Sequence, residues 1–460
     1  MKLKEEINKI LLQALTDASI KINHISVSQS SKPEFGDYQF NGIMPLAKVL
    51  KRNPRDIALD VIEYIDTTGA ILKVEVAGAG FINIWLNPLW LDKMATKMIL
   101  DDRLDISDNK SNNIVIVDYS GPNMAKEMHV GHLRSTIIGD TLANLLEFMG
   151  DIVIRQNHIG DWGTQFGMLI AYLEEIDIDN MNNMDNLKDL EQFYKDSKTR
   201  FDKDKEFADR ARDNVVKIQS GDDYCLKLWK NFIDISLNHC QEVYSKLDVK
   251  LTPKDIKAES FYNDRLPKLI EKLENDKKIE VSNGAKCLFI EGEEIPVIIQ
   301  KSDGGYLYAT TDLSALWYRD EVLKSNRILY VVDERQSEHF KQVFYIAKDT
   351  KLVASDTKLE HIVFGTIMDK SGKPFKTRDG GTVKLVDLLD EAIIRAKSSI
   401  RNRDELDSNE LESLAKIIGI GAVKYFDLSI NRTSNYIFNW DKILSLDGNT
   451  SLYQQYAYAR

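Results

Sequence analysis

Two histidines, His129 and His132, stand at the start of a predicted helix and are well suited to phosphate chemistry. Upstream, the apolar, β-branched run 114–117 predicts a buried strand that a glycine–proline pair ends. A helix that follows a strand presents free backbone N–H groups and the positive end of its dipole, which together favour an anion. Gly131 leaves room for the close approach of a nucleotide. The pattern predicts phosphate binding, although two histidines can also begin a helix without any function.

The residues around these histidines are more specific than the histidines alone. Val-Asp-Tyr-Ser-Gly-Pro-Asn occupies 117–123, and Gly-His-Leu-Arg-Ser-Thr-Ile-Ile-Gly-Asp occupies 131–140. Together they resemble the signature of class I aminoacyl-tRNA synthetases, and of arginyl-tRNA synthetases in particular. The resemblance implies ATP-dependent activation of L-arginine to arginyl-adenylate. The arginyl group would then pass to the 3′-terminal ribose of tRNA(Arg).

The ATP site implied by the resemblance comprises His129, Gly131, His132 and Gly365. The two imidazoles would donate hydrogen bonds to phosphate oxygens as charge develops in the transition state. Mg²⁺ is the expected cofactor. It would be held largely by the phosphates rather than by a dedicated set of protein carboxylates, so no protein metal ligands are expected.

A second loop of the family, usually rich in lysine and similar to K-M-S-K-S, corresponds here to residues 372–381. The sequence Gly-Lys-Pro-Phe-Lys-Thr-Arg-Asp-Gly-Gly departs from that pattern, because its last lysine is missing or displaced. Lys376 and Arg378 are the candidate catalytic cations of this loop. Lys126, just before the histidine motif, is expected to compensate for the missing lysine. The alternative is that these are ordinary solvated side chains.

An arginine pocket requires acceptors in the plane of the guanidinium and benefits from an aromatic ring over its face. Tyr308 and Asp312 are four residues apart on a predicted helix and share one face. A lone carboxylate at a strand end is often only a cap. Several acceptors that match the arginine-binding positions of the family predict a pocket: Asp118, Asn123, His132, Tyr308, Asp312 and Gln336.

Residues 1–110 predict a separate α+β domain, and the polar run 101–113 resembles a linker. In the family this module contacts tRNA, and the residues here that match its motif are Asp37, Tyr38, Gln39 and Asn41. Aromatic and amide side chains can stack on and hydrogen-bond an unstacked base. The alternative is that Tyr38 and Phe40 are simply core residues.

The remainder predicts an α/β fold with a Rossmann-like catalytic domain over 111–385. Its charged helical stretch at about 171–290 indicates an inserted, mostly solvated subdomain. Residues 386–446 predict a helical segment, and the resemblance implies that this segment contacts the tRNA stem. Residues 447–460 resemble the start of an anticodon-binding domain that is otherwise missing, so the chain looks truncated and its activity is expected to be weak.

After the insertion, local patterns predict further strands and helices. The strand-like runs are 287–290, 297–300, 328–332 and 361–365. The helical runs are 311–319 and 337–347.

Composition indicates a protein of the cytoplasm. The 460 residues are 43% hydrophobic and 29% charged, and no apolar run reaches the roughly 20 residues that cross a bilayer. The chain begins with a charged helix rather than a signal peptide, and its three scattered cysteines predict reduced thiols. A net charge of −11 argues against indiscriminate nucleic-acid binding but permits specific RNA contacts. No pattern requires an obligate interface, so a monomer is expected.

Two alternatives to an arginine–tRNA ligase stay open. A small nucleotidyltransferase shares the histidine pattern, but such proteins are far shorter and lack the arginine-binding set. A catalytically inactive tRNA-binding remnant would fit a chain without an anticodon-binding domain.

Overall fold

The computed structural model describes residues 3–22, 25–106, 112–176, 190–293, 295–369, 371–373, 375, 383–400 and 406–460. They belong to two compact units, Met1–Asp108 and Asn109–Arg460.

The first unit is an antiparallel sheet packed with helices. Its elements are α1 (Leu3–Asp17), β1 (Ser28–Gln29), β2 (Tyr38–Phe40), α2 (Ile43–Leu50), α3 (Pro54–Ile62), β3 (Ile71–Ala77), β4 (Phe81–Leu86) and α4 (Pro88–Ile99). The strands are arranged in the order β1-β2-β4-β3. Asn53 and Asn87 cap α3 and α4 by accepting hydrogen bonds from backbone N–H groups, and a proline follows each of them. An asparagine cap followed by proline is a common way to begin a helix.

The second unit contains the predicted catalytic region. Its helices are α5 (Leu133–Phe148), α6 (Thr164–Ile176), α7 (Leu190–Lys203), α8 (Lys205–Ser220), α9 (Asp223–Leu247), α10 (Leu266–Asn275), α11 (Tyr308–Glu321), α12 (Ser337–Asp349), α13 (Leu385–Ser399), α14 (Ser408–Ser429), α15 (Trp440–Ile443) and α16 (Ser451–Ala459). Its strands are β5 (Ile114–Asp118), β6 (Ile152–Gln156), β7 (Glu280–Ser282), β8 (Ala285–Leu288), β9 (Val297–Gln300), β10 (Arg327–Tyr330), β11 (Lys358–His361), β12 (Ile367–Met368) and β13 (Tyr436–Ile437).

A parallel sheet in the order β11-β10-β5-β6 forms the centre of this unit. The middle of β5 is almost completely buried, as a parallel strand covered on both faces must be. From β5 the chain continues to β6 on one side, while β10 pairs on the other, and Asp118 lies opposite Tyr330 in register. The chain therefore adds strands on opposite sides of β5, and the strand order reverses between β5 and β10. Ligands of such sheets bind at the carboxyl ends of the strands beside this point.

The prediction that the insertion is mostly solvated is wrong for α9. Side chains along this helix, including Leu228, Phe232 and Val243, belong to the same hydrophobic core as β5 and α5. The charged residues of α9 occupy its other faces, so its composition resembles that of a surface helix although one face is buried. The last part of the insertion also contributes strands, since β7, β8 and β9 form a small antiparallel sheet.

The predicted strand at 361–365 is displaced, because β11 ends where that prediction begins. Phe364 is buried after the strand end, so its hydrophobicity reflects burial rather than strand structure. The three cysteines are free and buried. Within the described ranges, no helix combines the length and the apolar character needed to span a bilayer.

Candidate active site

A cavity of about 520 Å³ opens at the carboxyl ends of β5 and β10. Side chains from the first signature, from α11 and from the turn before α12 meet there, although they are far apart in the sequence. The predicted site residues that line this cavity are Asp118, His129, Gly131, His132, Tyr308, Asp312 and Gln336. The structure thus brings the predicted phosphate-binding histidines and most predicted arginine-binding residues together.

The two signature histidines cap the turn at which they stand. His129 Nδ1 accepts a hydrogen bond from the Gly131 N–H at 3.0 Å, and His132 Nδ1 accepts one from the His129 N–H at 3.1 Å. The backbone N–H of His132 donates to the carbonyl of His129 at 2.8 Å. The expectation of free backbone donors is therefore wrong at Gly131 and His132. Because each Nδ1 accepts a hydrogen bond, each neutral ring carries its proton on Nε2, which remains the donor for a ligand.

Burial keeps both imidazoles neutral. It lowers the pKa of His132 to about 3, with the neighbouring His129 as a further cause. Burial is also the main cause that lowers the pKa of His129, and the cation of Lys126 adds to it. Neutral rings retain the Nδ1 acceptors that close the turn, whereas protonation would convert both acceptors into donors. The geometry of the turn therefore depends on the neutral form.

This linkage predicts a pH-dependent stability. The unfolded chain protonates His132 near its ordinary pKa of 6.5, whereas the folded chain does so only near pH 3. Stability from this group is therefore complete above pH 6.5 and declines as pH falls below it. We expect the free energy of unfolding to drop from pH 7 to pH 5 by about 1–2 kcal/mol more in the wild type than in His132→Asn. Urea titrations at several pH values measure the free energy of unfolding of both proteins. The same dependence of this free energy on pH in the wild type and in His132→Asn would contradict the prediction.

Asp312 is a largely buried carboxylate between two other histidines. One oxygen lies 2.6 Å from Nε2 of His339, and the other lies 3.8 Å from Nε2 of His158. The ring of Tyr308 packs against that of His339 at 4.7 Å between centroids. Sequence reasoning did not assign His158 and His339 to the site, although both stand in the segments that follow predicted strands.

Asp118 has a structural partner that the sequence does not indicate. Its Oδ2 accepts a hydrogen bond from Nη2 of the fully buried Arg319 at 2.6 Å, and its Oδ1 accepts one from the backbone N–H of His158 at 3.2 Å. Nε of Arg319 donates to Gln156 at 2.6 Å. A buried guanidinium requires such a partner, so the charge of Asp118 is already balanced.

Glu259 lines the cavity together with Asp118, Asp312 and Asp333, and sequence reasoning missed it. It begins the 3₁₀ turn Glu259–Arg265 before α10. Burial raises the pKa of Glu259 to about 7, and the nearby carboxylates Asp161 and Asp312 add to this shift. In the sequence it is one of many acidic residues in a charged stretch, and nothing local distinguishes it. Asp118 and Asp333 pair with Arg319 and Arg335, whereas Asp312 and Glu259 have no Lys or Arg partner among the described residues.

Asn123 and Lys126 lie beside the cavity rather than on its wall. Asn123 is exposed and packs against Gly160, where an added Cβ would lie 2.2 Å from its Oδ1. The ammonium of Lys126 lies 4.6 Å from the ring centroid of Tyr194 in α7. Both residues therefore stand near the histidine turn without lining the cavity.

Gly365 also stands behind the cavity wall. Its carbonyl accepts a hydrogen bond from Nη1 of the buried Arg134 at 2.8 Å, and an added Cβ would lie 2.5 Å from the Ser434 carbonyl. This glycine is needed for close packing of the chain. Lys376 and Arg378 lie outside the described residues.

In the first unit, the predicted tRNA-contacting residues form part of the sheet. Asp37 accepts a backbone hydrogen bond from the end of β4 at 2.8 Å, and Gln39 donates to Asn83 at 2.7 Å. Tyr38 is half-buried against the core, and Asn41 is exposed. Asp37 and Asn41 are therefore the exposed members of the four.

Comparison with known proteins identifies the family of this chain. The family profile described as "tRNA synthetases class I (R), catalytic domain" matches residues 94–440, and "Arginyl tRNA synthetase N terminal domain" matches residues 1–86. The arginine–tRNA ligase of Hahella chejuensis is 53% identical over 442 residues, which are 94% of this chain and 76% of that protein. That of Cellvibrio japonicus is 49% identical and covers 100% of this chain and 81% of its own length.

Solved structures give the same relationship. The arginyl-tRNA synthetase of Plasmodium falciparum superimposes with a TM-score of 0.83 at 32% identity, covering 100% of this chain and 80% of its own. The Thermus thermophilus enzyme has the same fold, with a TM-score of 0.76 at 20% identity and coverage of 100% and 81%. These relatives favour a ligase over an inactive remnant. The chain belongs to the arginyl-tRNA synthetase family of class I aminoacyl-tRNA synthetases, which use ATP, and it is an enzyme that ligates arginine to tRNA.

Proposed function

We propose that L-arginine and ATP react in the cavity between β5 and β10. The carboxylate of arginine attacks the α-phosphorus, a phosphorus–oxygen bond forms, and pyrophosphate leaves with its bonding electron pair. A terminal ribose hydroxyl of tRNA(Arg) then displaces AMP from the adenylate and gives up its proton. The observation that carries the proposal is that two neutral imidazoles, His129 and His132, share one cavity with Asp312 and Glu259. Neither of these two carboxyl groups has a Lys or Arg partner in the part of the chain that the structure describes.

The guanidinium end of arginine would bind at Asp312 and Glu259. Both carboxyl groups line the cavity, and the negative charge of Asp312 contributes to the raised pKa of Glu259. A guanidinium between them would relieve this repulsion and donate hydrogen bonds to both carboxyl groups. Tyr308 and Gln336 on the same wall supply a ring and an amide carbonyl. The α-amino and carboxylate groups would lie toward Asp118, Asn123 and His132.

Arginine binding is then expected to release a proton from Glu259. A cation beside the carboxyl group favours its ionised form, so the pKa falls from about 7 and the group deprotonates on binding near pH 6.5. Calorimetric titration of arginine in buffers of different ionisation enthalpy measures the released protons. Glu259→Gln should abolish the release, while Glu338→Gln, on the exposed side of α12, should retain it. If the heat of arginine binding to the wild type is the same in all buffers, this role of Glu259 is contradicted.

The phosphates of ATP would bind at the histidine turn. His129 and His132 offer Nε2–H donors, Gly131 leaves space, and Lys126 provides a nearby cation. Lys376 and Arg378 are proposed to approach pyrophosphate from their loop, and Gly365 to support the nucleotide site from behind. Mg²⁺ would enter with ATP and neutralise phosphate charge, because this ion retains phosphate and water ligands more readily than it occupies a protein cage.

Further parts of the chain would bind tRNA. We assign residues 1–110, with Asp37, Tyr38, Gln39 and Asn41, to tRNA contact. Residues 111–385 would form the catalytic domain, 386–446 a stem-contacting segment, and 447–460 part of an anticodon-binding domain. A monomer in the cytoplasm is the state we propose.

Pyrophosphate exchange with a panel of amino acids, with and without tRNA, tests the reaction. Of the amino acids tested, only arginine should support exchange. Labelled arginine should become acid-precipitable only when tRNA is present. Exchange with another amino acid at a comparable rate would contradict the proposed pocket.

A further inference from the structure

Ser120, directly after β5, holds an unusual backbone conformation at the cavity. Its φ is 75°, a left-handed value that a residue with a Cβ seldom adopts unless its surroundings impose it. Two neighbours fix this turn. The Ser120 N–H donates to Oγ of Ser135 at 2.9 Å, and the Gly121 N–H donates to Oδ1 of Asn157 at 2.9 Å. The turn lines the cavity, so its conformation shapes the site.

A buried tyrosine from the inserted helices completes these contacts. The hydroxyl of Tyr244, in α9, lies 2.8 Å from Oγ of Ser120 and accepts a hydrogen bond from Nδ2 of Asn157 at 2.9 Å. On the other side, Oγ1 of Thr136 lies 3.1 Å from Oγ of Ser120 and 2.8 Å from the carbonyl of His132. Tyr244, Asn157, Ser120 and Thr136 are all buried.

The directions of these hydrogen bonds follow from the number of protons. The single hydroxyl proton of Thr136 is shared between two acceptors, the carbonyl of His132 at 2.8 Å and Oγ of Ser120 at 3.1 Å. Because the hydroxyl oxygen of Tyr244 accepts from the Asn157 amide, the proton of Tyr244 is directed at Oγ of Ser120. Ser120 therefore accepts from both neighbours, and the contacts connect Asn157 through Tyr244, Ser120 and Thr136 to the carbonyl of His132.

We propose that Tyr244 is a positioning residue for arginine activation, which holds the Ser120 turn and the carbonyl of His132 through this chain of hydroxyl groups. The inference rests on the proposed role of His132 at the phosphates. Burial raises the pKa of Tyr244, so its hydroxyl stays protonated and remains a donor throughout the working pH range. The inserted helices thereby contribute a group that organises the site, in addition to their packing.

The test compares Tyr244→Phe with Thr350→Val, because each change removes one buried, hydrogen-bonded hydroxyl. The hydroxyl of Thr350, directly after α12, donates to the carbonyl of Ile346 at 2.6 Å and does not line the cavity. Tyr244→Phe should lower kcat for arginine-dependent pyrophosphate exchange about tenfold, with KM for arginine changed less than about twofold. Thr350→Val should keep the wild-type values. Assays run well below the unfolding temperature, which is measured for each variant.

A double-mutant cycle with Thr136→Val decides whether the chain acts as a unit. The valine retains the shape of the threonine but cannot donate to His132. If the chain transmits the effect, the double variant should be no slower than the slower single variant. Independent, multiplying losses would overturn the proposal, as would a Tyr244→Phe variant with altered unfolding temperature and unchanged kcat.

His132→Asn, assayed alongside, separates this inference from the proposed function. If His132→Asn is slow and Tyr244→Phe is normal, only the positioning role is overturned. If His132→Asn keeps the wild-type rate, the proposed role of the histidine fails, and the inference fails with it.

Discussion

Replacement of Asp312 by alanine is expected to lower kcat/KM for arginine by roughly 30-fold to several-thousandfold, the equivalent of about 2–5 kcal/mol. Asp312 is largely buried at the cavity wall, between Nε2 of His339 and Nε2 of His158. Without its carboxylate, the guanidinium would be desolvated beside two imidazoles, and Glu259 would be the one remaining cavity carboxyl group that has no Lys or Arg partner among the residues that the structure describes. Steady-state pyrophosphate exchange with varied arginine measures the loss.

Three comparisons make this result specific. Asp312→Asn retains size and hydrogen bonding but removes the charge, so it should also be strongly impaired. KM for ATP should stay near the wild-type value, because the phosphates are proposed to bind at His129 and His132. Asp349→Ala removes an exposed carboxylate that pairs with Lys278 at 2.7 Å and should have no effect. Unchanged KM and rate in Asp312→Ala would remove this residue from the site.

Loss of the imidazole of His132 or His129 is expected to reduce kcat for adenylate formation by about 10²–10³. Each Nε2–H is a preorganised donor in a cavity, where it costs little reorganisation when charge develops on the phosphates. The effects of the two alanine variants should not multiply, because the backbone N–H of His129 depends on Nδ1 of His132 for its hydrogen bond. Rapid-quench measurement of adenylate at saturating ATP and arginine tests this.

Two amide substitutions at His132 separate its capping role from its donor role. Asn can replace Nδ1 as the acceptor for the His129 N–H but cannot reach the position of Nε2. Gln can reach that position with an N–H donor but replaces Nδ1 poorly. His132→Asn should therefore fold normally and react slowly, and His132→Gln should recover part of the rate. A normal rate in His132→Asn would show that only the cap matters.

The elements that position the site were predictable wherever short-range patterns are strong. The apolar run at 114–117 became β5, and the helical pattern at 311–319 lies within α11. Tyr308 and Asp312 share one face because helical geometry places residues four apart on the same side. The prediction at 361–365 failed by a few residues, since a buried residue after a strand resembles one within it.

The sequence by itself determined the family and singled out seven of the residues on the cavity wall. These residues belong to motifs near strand ends and helix starts, where the local course of the chain sets their positions. Tertiary structure alone decided how charge is distributed among them. Asp118 is paired with the distant Arg319, while Glu259 is left with a raised pKa beside Asp312. Such partners approach each other only after the chain folds, because nothing in the spacing of charged residues distinguishes a buried carboxyl group from a solvated one.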